Sequence, residues 1–470
     1  MGAMIDFDTD GWRARLDGDF TEENVVRIAA AAAKVWSHQA PGAVVYVGYD
    51  ARPAAESTAW LAGRVLASCG LSVKVADRVS PTPAVSWAVA SDARACGGVI
   101  VTGGNSPNDY LGMKVRVADG GVGTQEFYEE LAQAIDQDPT DARGPISSCD
   151  FVTPYLDHLV SLVDGERIAA ARLKLVCDPM YGAARGYLAN MLRVMGVEAA
   201  EIHGRDDEAT DGIHPEPIEP WVDECEQIVV ATGAQAGVVV DGDGSCAAAI
   251  DERGRYICSQ KIAALLMGHL VRNRGMEGRV VLNPSASVVT LRTVEELGCR
   301  VAVKPAGYGV LYREMRKGDV LLGAEETGGI GLPWDMPVCD GMLVNLLLCE
   351  LMAYAGKPLG VLVDELEETY GTFYYAARDV RLEGEVVEML RTLLPGLNPP
   401  VVADMVPVAV SHLDGLRLGF ADSSWLLVRP DQSAPHVCIR AEATSPALRD
   451  ALLAAGRSLS RGGGPSPIDV

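Results

Sequence analysis

Five short stretches carry side chains whose type and spacing suit chemistry: DTDGWR (8–13), TGGNSP (102–107), DGDGSC (241–246), GAEETGG (323–329) and RPDQSAPHVCIR (429–440). In VTGGNSPNDYLGMKV (101–115), two glycines, an Asn and a Ser stand between an apolar run and a proline, which is how a strand delivers a tight exposed loop. Ser106 is the hydroxyl of that loop and reads either as a nucleophile or as a turn residue. Lys114 suits an acid or base if desolvated, while Lys114 with Arg116 reads equally as a solvated strand edge. Asp241 and Asp243, at alternate positions of a Gly-rich turn, offer hard oxygens of the kind that hold Mg²⁺; a plain surface turn has the same composition. Glu325, Glu326 and Thr327, after the strand-like VLLGA, could bracket sugar hydroxyls or form a solvated acidic turn.

The elements that must position these groups repeat along the chain. Thr21, Glu22 and Glu23 open a helix that runs through the Ala-rich stretch to Trp36, with a capping hydroxyl and acids against the N-terminal dipole. VVYVGYD (44–50) is an apolar strand ending in a loop, followed by a helical segment that closes at Gly70 and a new strand, LSVKVA. KLVCDP (174–179) closes in the same way at Gly196, and RVVLNP (279–284) at Gly298. Three such units predict three α/β domains with parallel crossovers, and the short alternating strands and Ala-rich terminal helix of the last hundred residues predict a smaller α+β domain. The expected domains are 1–148, 149–256, 257–372 and 373–470.

Bulk properties narrow the partners. With 470 residues the chain exceeds one core, and its net charge of -24 argues against nucleic acid and anionic membranes. The 11 cysteines are scattered, with no C-x-x-C, so neither a disulfide framework nor a zinc site is predicted and most are expected to be small buried apolar residues. The opening MGAMIDFDTDG has no basic region followed by an apolar run, and no long apolar span follows, so the expectation is a cytoplasmic protein, monomer or homodimer, with a small-molecule partner.

Order and spacing of the motifs resemble the α-D-phosphohexomutase superfamily, the phosphoglucomutases and phosphomannomutases, over nearly the whole chain. DTDGWRARLDGDFTEENV is similar to that family's opening FGTDGWR-type segment. VGYDAR, SPTPA, DGIHPEPIEP (211–220) and GAEETGGIGL with CDGMLVNLLLCELM lie where the family has comparable motifs. The resemblance implies four domains around a central cleft, a phosphoserine in a T-A-S-H-N-P loop that exchanges its phosphoryl group with a sugar phosphate, Mg²⁺ held by three Asp of a D-G-D-G-D-R loop, and a fourth-domain loop gripping the distal phosphate.

This sequence departs from that pattern at the positions that matter. Laid on T-A-S-H-N-P, the phosphoserine position is Gly104 and the following His is Asn105, with Ser106 two residues on. Asp241 and Asp243 match two metal ligands, but Ser245 stands for the third Asp and Cys246 for the Arg, so Mg²⁺ is expected to be weak or absent and no cofactor is certain. In the fourth domain Arg429 and Ser433 match, Asp431 and Gln432 replace Ser and Gly, Cys438 replaces a second Arg, and Arg440 could swing in to compensate. Arg13, Lys114 at the family's general-acid/base-type Lys, and Glu325, Glu326 and Thr327 for sugar hydroxyls are kept. Three functions are open: an enzyme that binds a sugar, sugar phosphate or sugar-like metabolite but has left phosphoserine chemistry; a non-catalytic sensor or scaffold; and a mutase using Ser106 or substrate-borne phosphoryl groups.

Overall fold

The computed structural model describes residues 5–8, 10–137, 142–205, 212–326, 328–431 and 435–461. The first sheet has six strands, β1 (Gly11–Arg15), β2 (Val44–Tyr49), β3 (Ser72–Ala76), β4 (Ala95–Val101), β5 (Tyr110–Val117) and β6 (Ile146–Cys149), in the order β1-β5-β4-β2-β3-β6. The second contains β7 (Lys174–Asp178), β8 (Glu198–Glu201), β9 (Ala236–Val240), β10 (Ala247–Asp251) and β11 (Tyr256–Ile257), ordered β11-β10-β9-β7-β8. The third contains β12 (Arg279–Leu282), β13 (Val301–Val303), β14 (Val320–Ala324) and β15 (Ile330–Gly331), ordered β13-β12-β14-β15.

These three sheets repeat one topology. In each, the first strand of the repeat pairs in parallel with the next two, β2 with β3 and β4, β7 with β8 and β9, β12 with β13 and β14. The third strand then turns back as an antiparallel hairpin, into β5, β10 or β15. The parallel strands read as unbroken apolar runs because they are covered on both faces: all six residues of β2 and all five of β9 are buried. The three turns of these equivalent hairpins are TGGNSP, DGDGSC and EETGG, so one topological position, repeated three times, delivers three of the chemical loops.

Local signals set the helices. Thr21 caps Glu22–Gln39, its hydroxyl accepting from the Asn24 N–H at 3.2 Å, and the helix buries Ile28, Ala32 and Trp36. Gly341–Ala355 is apolar nearly all round because it is buried nearly all round, its residues joining the core shared by the second and third sheets. Asp340 caps it, accepting from the Met342 and Leu343 N–H groups at 3.0 Å each. Among the described residues no single helix is long and apolar enough to cross a membrane.

The last sheet is antiparallel, with β16 (Tyr374–Arg381), β17 (Ala409–Ser411), β18 (Leu416–Gly419), β19 (Trp425–Pro430) and β20 (His436–Ala443) ordered β16-β20-β19-β18-β17. Along β20, Val437, Ile439 and Ala441 enter this domain's own core with Leu452 of the Pro446–Ser460 helix, which places His436, Cys438 and Arg440 on the opposite face. One segment differs from expectation. The sequence places a boundary at GPISSCDF, yet ISSC is β6, paired in parallel with β3, so a cut at 148 falls inside a strand. Its exposed serines hide the apolar signature, and backbone pairing at the sheet edge supplies what side chains do not.

Candidate functional site

The loop after β4 is fixed from beneath. Asp50, at the end of β2, accepts from the Thr102 hydroxyl at 2.6 Å and the Gly103 N–H at 3.1 Å, and Thr102 in turn accepts from the Gly104 N–H at 2.8 Å. Arg52 donates to four carbonyls of the loop, those of Gly104 (2.9 Å), Ser106 (2.6 Å), Pro107 (2.6 Å) and Tyr110 (3.1 Å), and pairs with Asp50 at 3.2 Å. A Cβ at position 103 would meet the guanidinium carbon of Arg52 at 2.3 Å, so the staple requires glycine there. Burial raises the Asp50 carboxyl against the pull of Arg52 and its hydrogen bonds.

Gly104 sits in the left-handed region, at φ +59°. A Cβ there would point at Lys114, 3.5 Å from Nζ, and lie 3.9 Å from Asp243 Oδ2. The position that faces the lysine and the carboxylate therefore carries no side chain. Ser106 takes another direction: its hydroxyl accepts from Arg13 Nη1 at 2.8 Å, and among the described residues that guanidinium is its only hydrogen-bond partner, a donor that can take no proton.

Lys114 is not a solvated strand-edge residue, and neither is Arg116. Lys114 Nζ lies 2.7 Å from Asp243 Oδ2 and 2.9 Å from Asp10 Oδ2, and the fully buried Arg116 donates to Asp10 Oδ1 at 2.7 Å. Burial works against the Lys114 ammonium, but the two carboxylates outweigh it and hold the amine above its ordinary value. In the second loop Ser245 donates its hydroxyl to Asp243 Oδ1 at 2.7 Å and lies 3.2 Å from Asp241 Oδ2. Thr82 donates to Asp243 Oδ2 at 2.7 Å. Burial and the neighbouring Asp243 push the Asp241 carboxyl up, whereas for Asp243 the charge and hydrogen bond of Lys114 overcome burial and bring it down.

The third loop meets the fourth sheet. Glu326 accepts from Arg429 Nη2 at 2.6 Å and from Arg440 Nη2 at 3.1 Å, and Arg429 also reaches Asp414 at 3.2 Å, Arg440 Asp379 at 2.6 Å. Arg440 is therefore held by two carboxylates beside the cavity, whose lining includes Arg429 but not Arg440. Glu325 is held less firmly: burial first, then the charge of Glu326, raise it to about 7 in spite of Arg429. Thr327 and Ser433, both expected at the site, lie outside the described residues.

All four sheets contribute to one cavity of about 710 Å³, lined among others by Arg13, Asn105, Lys114, Asp241, Ser245, Glu325, Glu326 and Arg429. The structure thus brings together residues more than a hundred positions apart, Lys114 with Asp243 and Glu326 with Arg429. Comparison with known proteins gives the family. Residues 4–141, 153–254 and 259–370 match the alpha/beta/alpha domains I, II and III of phosphoglucomutase/phosphomannomutase. The chain belongs to the α-D-phosphohexomutase superfamily. It is 27% identical over 455 residues, 95% of each chain, to a phosphoglucomutase/phosphomannomutase of Thermococcus kodakarensis. It is 28% identical over 466 residues to a phosphoglucosamine mutase of Salinispora arenicola, covering 95% of this chain and 96% of the relative. A crystal structure named "putative phosphomannomutase", from Thermus thermophilus, superposes with a TM-score of 0.86 at 29% identity, covering 98% of this chain and 100% of that one.

For a phosphohexomutase the expected metal is Mg²⁺, and the residues of this chain do not fit it. Both oxygens of Asp243 are saturated with donors, Thr82 and Lys114 on one, the Ser245 hydroxyl and N–H on the other. Ser245 brings a hydroxyl that donates to Asp243 and Asp241 where a third carboxylate would be required. Several residues that line the cavity or hold its loops lie within the sequence motifs without being singled out by them. They are Asp10 in DTDGWR, Asp50 and Arg52 in VGYDAR, Thr82 in SPTPA, and His214 in DGIHPEP, whose ring nitrogen lies 2.5 Å from the Asn105 carbonyl. The motifs are visible as blocks. Which member turns inward depends on loop conformation, which no periodicity reports.

Proposed function

We propose that this phosphohexomutase-superfamily protein binds a sugar, sugar phosphate or sugar-like metabolite in the cleft and acts on it by acid–base chemistry, without a phosphoserine. The observation that carries this reading is the bare Gly104 facing Lys114 and Asp243. Removing the nucleophile from a covalent mechanism costs about 10⁶ in rate by analogy with protease knock-outs. Ser106 is a poor substitute because its hydroxyl contacts only the Arg13 guanidinium among the described residues.

The acid–base group is Glu325, whose carboxyl at about 7 can take or give a proton at neutral pH. Lys114, kept charged between Asp10 and Asp243, serves as a fixed positive pole for a developing oxyanion rather than as the proton carrier. Arg13 stands on the same cavity wall to orient the ligand. A second reading, a binding protein without turnover, is favoured by the pairing of Lys114, Arg429 and Arg440 with carboxylates, which leaves these cations little residual field for a phosphate.

Calorimetric titration of the purified protein with glucose 1-phosphate, glucose 6-phosphate and unphosphorylated sugars, with and without Mg²⁺, followed by phosphorus and proton NMR of each mixture, tests both readings. The expected result is binding with no exchange of phosphate between the 1- and 6-positions. Interconversion at ordinary enzymatic rates overturns the proposal, and binding with no chemical change to any ligand selects the second reading.

A further inference from the structure

On the cleft side of the fourth sheet, three donors of different chemistry meet. Asp379 of β16 and Cys438 of β20 are direct cross-strand partners, and His436 is two residues before Cys438 and so on the same face. One carboxylate oxygen, one imidazole nitrogen and the thiol sulfur lie within 4.8 Å of one another. Among the described residues this is the one place where three such donors converge. We propose that Asp379, His436 and Cys438 form a zinc site at the rim of the cleft.

Geometry and chemistry support the assignment. Around a tetrahedral zinc with bonds of about 2.0–2.3 Å the ligand atoms stand roughly 3.5 Å apart, so closure asks for a contraction of at most about 1.3 Å, within the reach of side-chain rotation. The donors are graded in depth: Cys438 is 3% exposed, while the side chains of His436 and Asp379 are 28% and 53% exposed. A buried thiol at the base with two ligands toward solvent leaves the fourth position open, the form of a zinc site that keeps a water or ligand. Arg440 Nη1 donates to Asp379 Oδ1 at 2.6 Å, which orients the carboxylate and leaves Oδ2 for the metal. Asp431 Oδ2 lies 3.5 Å from His436 Nε2, a carboxylate beside the imidazole of the kind that steadies metal-bound histidines. A thiolate with imidazole selects zinc over Mg²⁺, whose preference is for all-oxygen shells. The site joins the cavity through Asp431 and through Arg429, which is the other cross-strand neighbour of Cys438.

The test uses the untagged full chain, stripped with a chelator and titrated with zinc chloride by calorimetry, and with cobalt(II) by absorption spectroscopy. One equivalent should bind, with a thiolate-to-cobalt charge-transfer band. Cys438→Ser should abolish the band, and Cys438→Ser and His436→Ala should each weaken zinc binding by at least about 100-fold. Asp379→Asn, at an exposed position, gives a ligand variant that leaves folding intact, and Cys96→Ser, in the first sheet, should keep both band and affinity. Circular dichroism confirms that each variant is folded. Absence of stoichiometric binding, or equal affinity and an undiminished band in folded Cys438→Ser and Asp379→Asn, overturns the proposal.

Discussion

Restoring the hydroxyl that the loop lacks is the sharpest test of the cleft. In Gly104→Ser the new Cβ meets only ordinary contacts, Lys114 Nζ at 3.5 Å, Lys114 Cε at 3.7 Å and Asp243 Oδ2 at 3.9 Å, so the side chain fits. The backbone at φ +59° is left-handed, which costs a non-glycine residue about 1–2 kcal/mol. Urea unfolding should therefore show a loss of that size and no loss of fold. The serine would stand beside the ammonium and the carboxylate, where a nucleophile belongs.

Activity should nevertheless not appear. Lys114 is held protonated by Asp10 and Asp243 and cannot accept the serine proton. Asp243 has no free lone pair with which to help a metal, and Arg429 and Arg440 are tied to Glu326 instead of to a phosphate. Each missing electrostatic stabiliser costs about 10²–10³ in rate, so two of them hold the variant at least about 10⁴-fold below an ordinary mutase. The assay is phosphorus NMR of glucose 1-phosphate with the sugar bisphosphate and Mg²⁺. Turnover near about 1 s⁻¹ or faster from this single change would refute the argument that metal loop and phosphate grip were lost along with the serine.

Three further expectations follow from the same geometry. Arg52→Ala removes the donor to four loop carbonyls and leaves the buried Asp50 without its cation, so the first domain should lose about 3–5 kcal/mol in urea unfolding; a loss below about 1 kcal/mol would mean that the staple is not what holds the loop. Glu326→Gln removes one negative charge from beside Arg429 and Arg440, which keep Asp414 and Asp379 as partners, and calorimetric affinity for inorganic phosphate should rise at least about tenfold, since one unit of charge at about 4 Å is worth roughly 4 kcal/mol at an effective dielectric of about 20; unchanged affinity contradicts the pairing. Glu325 has a folded value of about 7 against an ordinary 4.5, so the folded state binds the extra proton and stability is lost as pH rises from about 4.5 to about 7, by no more than about 3 kcal/mol; Glu325→Gln should flatten that part of the pH–stability curve, and an identical curve would show that Glu325 is not raised.

How much of this could be read from the sequence divides along physical lines. The parallel strands, the crossover helices and the chemical loops were legible because apolar runs, caps and glycines are local signals. β6 was not, since ISSC presents two exposed serines and is a strand only through its backbone pairing with β3. The loops could be found but their partners could not: Lys114 and Asp243 are 129 residues apart, and Glu326 and Arg429 103. Such pairs decide the surroundings of a lysine, and Lys114 stands between the carboxylates of Asp10 and Asp243.

The repeat explains why residues from distant segments meet in one cleft. The loops that end β4, β9 and β14 are the same hairpin turn in three copies, and an isolated bridge between Cys246 and Gly329 joins the second copy to the third. Lys114, from the first copy's returning strand, reaches across to Asp243 in the second. The lysine and the carboxylate satisfy each other, as Glu326 and the two arginines do elsewhere at the cavity. The Lys114–Asp243 pair and the Glu326–Arg429–Arg440 cluster are thus two separate pairings within one cleft. Substituting any single member leaves the other pairings in place, which is why Glu326→Gln should gain phosphate affinity without gaining turnover, and why appearance of turnover in that variant would break the account.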